Sequence, residues 1–267
     1  MVEAIDFRRL LREERLAARA ALQPPEEDVS PANLTTAQGE RTPLPEEPVL
    51  HLSPKTHLSL GDHRVGFCPR VWYVPECYSA EEESSIAEAV RALPFTTLKT
   101  RRLQTHCSAE RPLPSFLQRV VESVSEFAPF PLPVNHVLVN EYLPSQGILH
   151  HTDGPSYDPF VAIVSLLAPS VMTFRKRLSS SQIGVEEQEE VFCVLLQPRS
   201  VLIFSDEAYT HHLHGIDESS RHALDSSPCV NAHVVGGAQS GFIHRTDTRL
   251  SLTLRHKYLK HALGDME

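Results

Sequence analysis

From residue 134 onward, apolar and polar residues come in short runs that favour extended backbone: 134–142, 160–167, 171–175, 191–196, 200–205 and 249–256, separated by turn-rich pieces. Upstream the period changes. "SAEEESSIAEAVRAL" predicts a helix closed by a capping box, with Ser79 as N-cap and Glu82 completing it. In "LPSFLQRVVESVSEF", Phe116, Val120, Val121 and Val124 share one helical face. Ahead of both, "HRVGFCPRVWYVPECYS" reads as a strand that ends at Pro75. Two helices feeding many short strands make an α+β chain with a β-sandwich or barrel core. Two long segments interrupt the strands and read as surface loops, 175–190 ("RKRLSSSQIGVEEQEE") and 217–247.

The start of the chain has a different texture. Residues 5–22 can form a short helix, but 23–60 is rich in Pro, acids and small polar residues and cannot bury enough apolar surface to order itself. The expected organisation is a tail over 1–60 and one folded domain over 61–267. Apolar runs such as "VFCVLL" fall far short of the roughly 20 residues that span a bilayer, so no membrane partner is expected. The acids near the start fit neither a signal nor a transit peptide. Five cysteines (Cys68, Cys77, Cys107, Cys193, Cys229) lie scattered without CxxC spacing. That suits reduced thiols in cytoplasm and nucleus, and it speaks against a zinc ribbon. Net charge is −9, so a nucleic-acid partner would need a local basic patch. A monomer is expected.

The chemistry concentrates in "ILHHTDGP". On a strand, residues i and i+2 point to one face, which pairs His151 with Asp153 and sends His150 and Thr152 the other way. A third ligand is expected from "AYTHHLHGI", where His211, His212 and His214 are all candidates. Two imidazoles and one carboxylate leave a face of an octahedral metal open, as in non-haem Fe(II) oxygenases; a zinc hydrolase uses the same residue types. The last strand, "DTRLSLTLRHK", adds a second feature. Arg249, Ser251, Thr253 and Arg255 share one face, and Leu250, Leu252 and Leu254 the other. Two arginines on an inward face need partners, and a dicarboxylate cosubstrate supplies them.

With "NEY", "HTD", "LHGI" and "RLSLTLR" in this order, the sequence resembles the AlkB family of Fe(II)- and 2-oxoglutarate-dependent dioxygenases over roughly 70–257. The resemblance implies a double-stranded β-helix (jelly roll) with helices packed on one sheet. It implies Fe(II) on His151, Asp153 and His214, with 2-oxoglutarate and O2 as cosubstrates. Tyr142 and Arg249 would bind the distal carboxylate of 2-oxoglutarate; Asn140 and Arg255 would lie near its 1-carboxylate end, with Arg255 also close to Asp153. Ser251 stands where the family often has Asn, and its shorter side chain loses one cosubstrate hydrogen bond.

The same resemblance makes residues 95–112 a nucleotide-recognition lid, with Lys99, Arg101, Arg102 and Arg111 suited to phosphates and His106 as its aromatic-type residue for stacking. The expected substrate-facing set is Lys99, Arg101, Arg102, Gln104 and Tyr157. The alternative for the arginines is pairing with a nearby acid such as Glu110. Three functions follow: oxidative demethylation of alkylated single-stranded DNA or RNA, a nucleic-acid- or protein-binding module with little turnover, or a protein hydroxylase.

Overall fold

Two facing antiparallel sheets build the body of the protein in the computed structural model, which describes residues 50–177, 191–224, 228–234 and 241–258. The chain divides into units Met1–Pro48 and Val49–Glu267. The helix expected over 5–22, the tail up to 49 and residues 178–190 lie outside the described residues.

In chain order the strands are β1 (Val71–Val74), β2 (Thr96–Thr97), β3 (Arg102–Cys107), β4 (His136–Tyr142), β5 (Ile148–His151), β6 (Phe160–Leu166), β7 (Ser170–Lys176), β8 (Val191–Leu196), β9 (Ser200–Ser205), β10 (His212–Ile216), β11 (Arg221–Ala223), β12 (Phe242–His244) and β13 (Arg249–Arg255). The large sheet runs β1-β9-β6-β13-β4-β3-β2 and the small one β5-β10-β7-β8. Helices α1 (Ala80–Arg91) and α2 (Ser115–Ser125) pack on the outer face of the large sheet.

Period-two alternation decides what each face of the large sheet meets. Leu250, Leu252 and Leu254 of β13, with Val137 and Val139 of β4, pack against Ile86, Val90, Leu117 and Val120 of the helices. The opposite faces of β6 and β9 send Val161, Ile163, Leu202 and Phe204 toward Met172, Phe174, Phe192 and Val194 of the small sheet. This is the expected jelly roll with helices on one sheet. The fully buried β13 retains Arg249 and Arg255 on its inward face as read from the sequence.

Several elements escaped the hydrophobic pattern. β3 lies inside the expected lid and pairs along its whole length with β4, so much of 95–112 is sheet. β5 and β10 ("ILHH", "HLHGI") carry histidines where a structural strand would carry apolar residues, because function has displaced the pattern there. Segment 217–247 is not only a surface loop. Leu224 and Ile243 from it cover Val171, Cys193 and Leu195 on the outer face of the small sheet. Its Asn231 is fully buried, donating to the Leu195 carbonyl at 2.8 Å and accepting from the Leu195 N–H at 2.9 Å. A sheet face with apolar residues needs a cover, and this insertion provides it.

The ordered domain also starts before residue 61. Leu50 is 5% exposed and packs in the helix-side core. Glu82, expected only as half of a capping box, accepts from Ser79 N–H at 2.8 Å and from Ser53 N–H at 2.6 Å. It also pairs with the buried Lys55 ammonium at 3.1 Å. One carboxylate thus closes α1 and fastens the incoming chain. Replacing Glu82 by Ala strands the Lys55 charge and is expected to cost roughly 3–5 kcal/mol of unfolding free energy in urea titrations. A loss under about 1 kcal/mol, the range of an exposed pair, would mean that Lys55 escapes to solvent.

Candidate active site

β5 and β10 run antiparallel with His151 opposite His214. Their approach is tight: a Cβ on Gly215 would lie 2.9 Å from the Cγ of His150, so only glycine fits beside the second ligand strand. The two rings are 4.5 Å apart. β5 ends at His151, and Asp153 sits in the loop beyond it, not on the strand as the i, i+2 spacing suggested. Gly154, with φ of +82°, turns the chain immediately after Asp153 in a conformation that suits glycine.

The ligand atoms converge. Asp153 Oδ1 lies 3.7 Å from His151 Nε2 and 3.9 Å from His214 Nε2, and the three ligand atoms all lie within 4.8 Å of one another. Nδ1 of His151 donates to the Leu149 carbonyl at 2.8 Å, so the lone pair falls on Nε2, the atom facing the triad. Burial lowers the His151 pKa, with Asp153 opposing, and brings His214 down to about 3, so both rings are neutral and able to ligate. Of the other candidates, His212 faces away toward Phe192 and donates from Nδ1 to the Glu207 carbonyl at 3.2 Å. His211 is exposed. The three donors therefore fit a divalent metal with His214 as third ligand.

Arg255 organises the carboxylate. Its Nη1 lies 2.7 Å from Asp153 Oδ2, which leaves Oδ1 alone to face the imidazoles. Burial would raise the Asp153 carboxyl, but Arg255, His214 and His151 hold it well below the usual carboxylate range. The Arg255 guanidinium lies over the Tyr157 ring at 3.7 Å, and its Nε donates to His136 Nδ1 at 3.3 Å. His136 must be neutral to accept, and burial followed by the charge of Arg255 puts its pKa at about 3.

Between the sheets lies a cleft lined by Asn140, Tyr142, His151, Asp153, Arg249 and Arg255 among others. Arg249 is 1% exposed and stands opposite Tyr142 across the β13–β4 ladder. Nη2 donates to Ser165 Oγ at 2.9 Å, while Nε has no partner among the described residues. Burial lowers its pKa to about 10. A buried guanidinium held only by neutral groups fits an incoming carboxylate. Ser251 lines the same cleft, opposite Asn140.

The substrate-facing set is dispersed. Arg101 is buried and donates from Nε to Asn140 Oδ1 at 3.0 Å. Arg102 pairs with Glu141 and lies over the Phe95 ring at 4.8 Å; Glu110 instead faces Lys257, at 3.5 Å. Gln104 is buried and donates to the carbonyls of Val90 and Leu93 at 2.8 and 3.1 Å, so it anchors β3 to the end of α1. His106 is buried beside Gln104 and is no stacking surface. Lys99 is exposed, and Tyr157 serves Arg255. Two site residues went unread in the sequence. Ser165 was signalled as the lone polar residue in "FVAIVSLL", and His136 by its even spacing from Asn140 and Tyr142.

Residues 62–255 match the model of the family described as the 2OG-Fe(II) oxygenase superfamily. This chain belongs to that superfamily. It is 33% identical over 207 residues to the probable RNA/DNA demethylase ALKBH6 of Danio rerio, covering 70% of this chain and 86% of the relative. The AlkB resemblance is thereby shown, and the oxygenase is an Fe(II)- and 2-oxoglutarate-dependent dioxygenase. The structure of OsALKBH1 aligns over 72% of this chain and all of that one, with 14% identity and a TM-score of 0.47. HygX from Streptomyces hygroscopicus, solved with nickel, 2-oxoglutarate and hygromycin B, aligns over 71% of this chain and 83% of its own, with 13% identity and a TM-score of 0.44.

The buried histidines set a pH dependence for the metal-free protein. His136 and His214 have folded pKa values near 3, below the unfolded value, so the unfolded chain takes up protons first as pH falls. Neither ring carries this protonation penalty above about pH 6.5, and between there and about pH 3 the folded state loses about 1.4 kcal/mol per pH unit per histidine. Asp153 acts with the same sign at lower pH, since its contribution is lost as pH falls below the unfolded carboxyl value. Urea midpoints should be similar at pH 8 and 7 and fall steeply between 6 and 4. A flat profile would show that these rings are solvated.

Proposed function

We propose that this oxygenase removes N-alkyl groups from bases of single-stranded DNA or RNA. The observation that carries the reading is the convergence of His151, Asp153 and His214 beside a cleft that ends on the buried Arg249, in a chain 33% identical to a probable RNA/DNA demethylase. Iron and 2-oxoglutarate together supply O2-dependent oxidation of a C–H bond, with succinate and CO2 as co-products. A hydroxylated N-methyl group then loses formaldehyde and leaves the unmodified base.

The chain's own residues bind, orient and exclude water. Tyr142 and Arg249 hold the distal carboxylate of the cosubstrate, with Ser165 orienting the guanidinium. Asn140, Ser251 and Arg255 border its other end. Arg255 keeps one oxygen of Asp153 occupied so that the carboxylate offers a single donor. Lys99, Arg111 and the half-exposed side chain of Arg102 are the lid cations left at the surface for phosphate.

A second reading, oxidation of a protein side chain, is favoured by the Arg102–Glu141 pair and the inward Arg101, which thin the phosphate-binding face. We further propose a monomer acting in cytoplasm and nucleus, to be checked by light scattering and by imaging of a tagged protein.

Arg249→Ala should weaken 2-oxoglutarate binding to the Mn(II)-loaded protein by roughly 2–5 kcal/mol, the loss expected when one partner of a buried charge contact is removed. Unaltered affinity in calorimetry would move the distal carboxylate to Arg255.

Aerobic incubation with Fe(II), 2-oxoglutarate and panels of methylated DNA, RNA and peptides, followed by mass spectrometry, tests the substrate. Loss of 14 Da from an N-methylated base, about one methylene, with succinate formed in step, is the expected result. His151→Ala should lose both that activity and bound metal while keeping its fold, because His151 ends the edge strand of the small sheet and is partly exposed. Demethylation confined to peptides would establish the second reading instead.

A further inference from the structure

Arg101 lies on the turn between β2 and β3, where Leu98 N–H donates to its carbonyl at 2.8 Å. The sequence places it among cations suited to phosphate, yet the side chain runs inward and is 7% exposed. Its Nε donates to Asn140 Oδ1 at 3.0 Å. Asn140 itself lines the cleft, opposite Ser251 of β13 and two residues from Tyr142 on the same face of β4.

A guanidinium only donates, whereas a carboxamide has one accepting oxygen and one donating NH2. The contact with Arg101 therefore decides which way the Asn140 amide is turned, whatever the assignment of its two end atoms. With oxygen held by Arg101, the NH2 is the part left for the cleft. A dicarboxylate needs donors there; the reverse orientation would present an oxygen and repel it.

We infer that Arg101 is a positioning residue of the cosubstrate site, which fixes the Asn140 carboxamide so that its NH2 donates to 2-oxoglutarate. The inference rests on the cosubstrate reading of the cleft. It moves Arg101 from the substrate's phosphates to the cosubstrate's carboxylate, and it explains why an arginine from a turn is buried against β4. Lysine in its place retains a donor but neither the reach nor the planar fork, so it should substitute only in part.

The test is a double-mutant cycle read by calorimetric 2-oxoglutarate affinity of Mn(II)-loaded protein without O2, using wild type, Arg101→Met, Arg101→Lys, Asn140→Ala and the Arg101→Met/Asn140→Ala pair. Arg101→Met should weaken binding about tenfold, the scale of a lost charge-assisted hydrogen bond, and Arg101→Lys should recover part of it. In the Asn140→Ala background the Met substitution should add no more than about twofold, since it acts through the missing amide. Affinity for a single-stranded oligonucleotide should stay unchanged in Arg101→Met. Should that variant not fold, Arg101→Lys carried through the same cycle gives the same readout. Cosubstrate affinity equal to wild type, losses that multiply in the double variant, or a loss confined to oligonucleotide binding would each overturn the inference. Failure of wild type to bind 2-oxoglutarate is a separate outcome and would remove the cosubstrate reading itself.

Discussion

The ion pair between Arg255 and Asp153 ties the end of β13 in the large sheet to the loop that follows β5 in the small one, and the metal site hangs on it. Both groups are almost entirely buried, so each charge is tolerable only because the other is there. The pair also distributes the carboxylate's oxygens. Oδ2 is spent on the guanidinium, and Oδ1 faces the two imidazoles. Tyr157 and His136 complete the support of Arg255 from a loop and from β4, so three parts of the chain fix one carboxylate. Remove that contact and the H-x-D spacing is only two polar residues at a strand end.

A neutral jelly roll would be more stable empty than this one. The cleft holds Arg249 with a serine for company and two histidines whose pKa values burial has pushed down. Such groups cost free energy in the absence of ligands, which is the usual state of a site built to receive a cation and a dianion. The apolar layers around it supply the compensation. β13 buries leucines on one face against the helices while its other face carries the polar residues of the cleft, so one strand serves both core and site.

The segment expected as a lid shows how a basic stretch can be read two ways. "KTRRLQ" concentrates charge in a chain of net charge −9, yet of its three cations Arg101 is buried and Arg102 is held by an acid. Strand pairing explains this. Arg102 lies opposite Glu141 in the β3–β4 ladder, so a cross-strand pair forms there. Arg101 precedes the strand and can fold over β4 onto Asn140. Neither partner is near in sequence, being 39 residues away in both cases.

Much of this protein is determined by local pattern. The capping box at Ser79 and Glu82, the apolar face of α2, the alternation of β13, and the strands 191–196 and 200–205 all follow from side-chain periodicity, which is a property of neighbouring residues. The triad was legible in part for the same reason, since His151 and Asp153 are two apart. The choice of His214 over His211 and His212 depends on which residue of β10 stands opposite His151, and register between strands some sixty residues apart is fixed only when the sheets assemble. The same holds for Glu82 reaching back to Lys55, for the cover that 217–247 lays on the small sheet, and for the inward turn of Arg101. Each is a contact between segments distant along the chain, and tertiary packing alone decides which of many possible polar partners come within hydrogen-bonding distance.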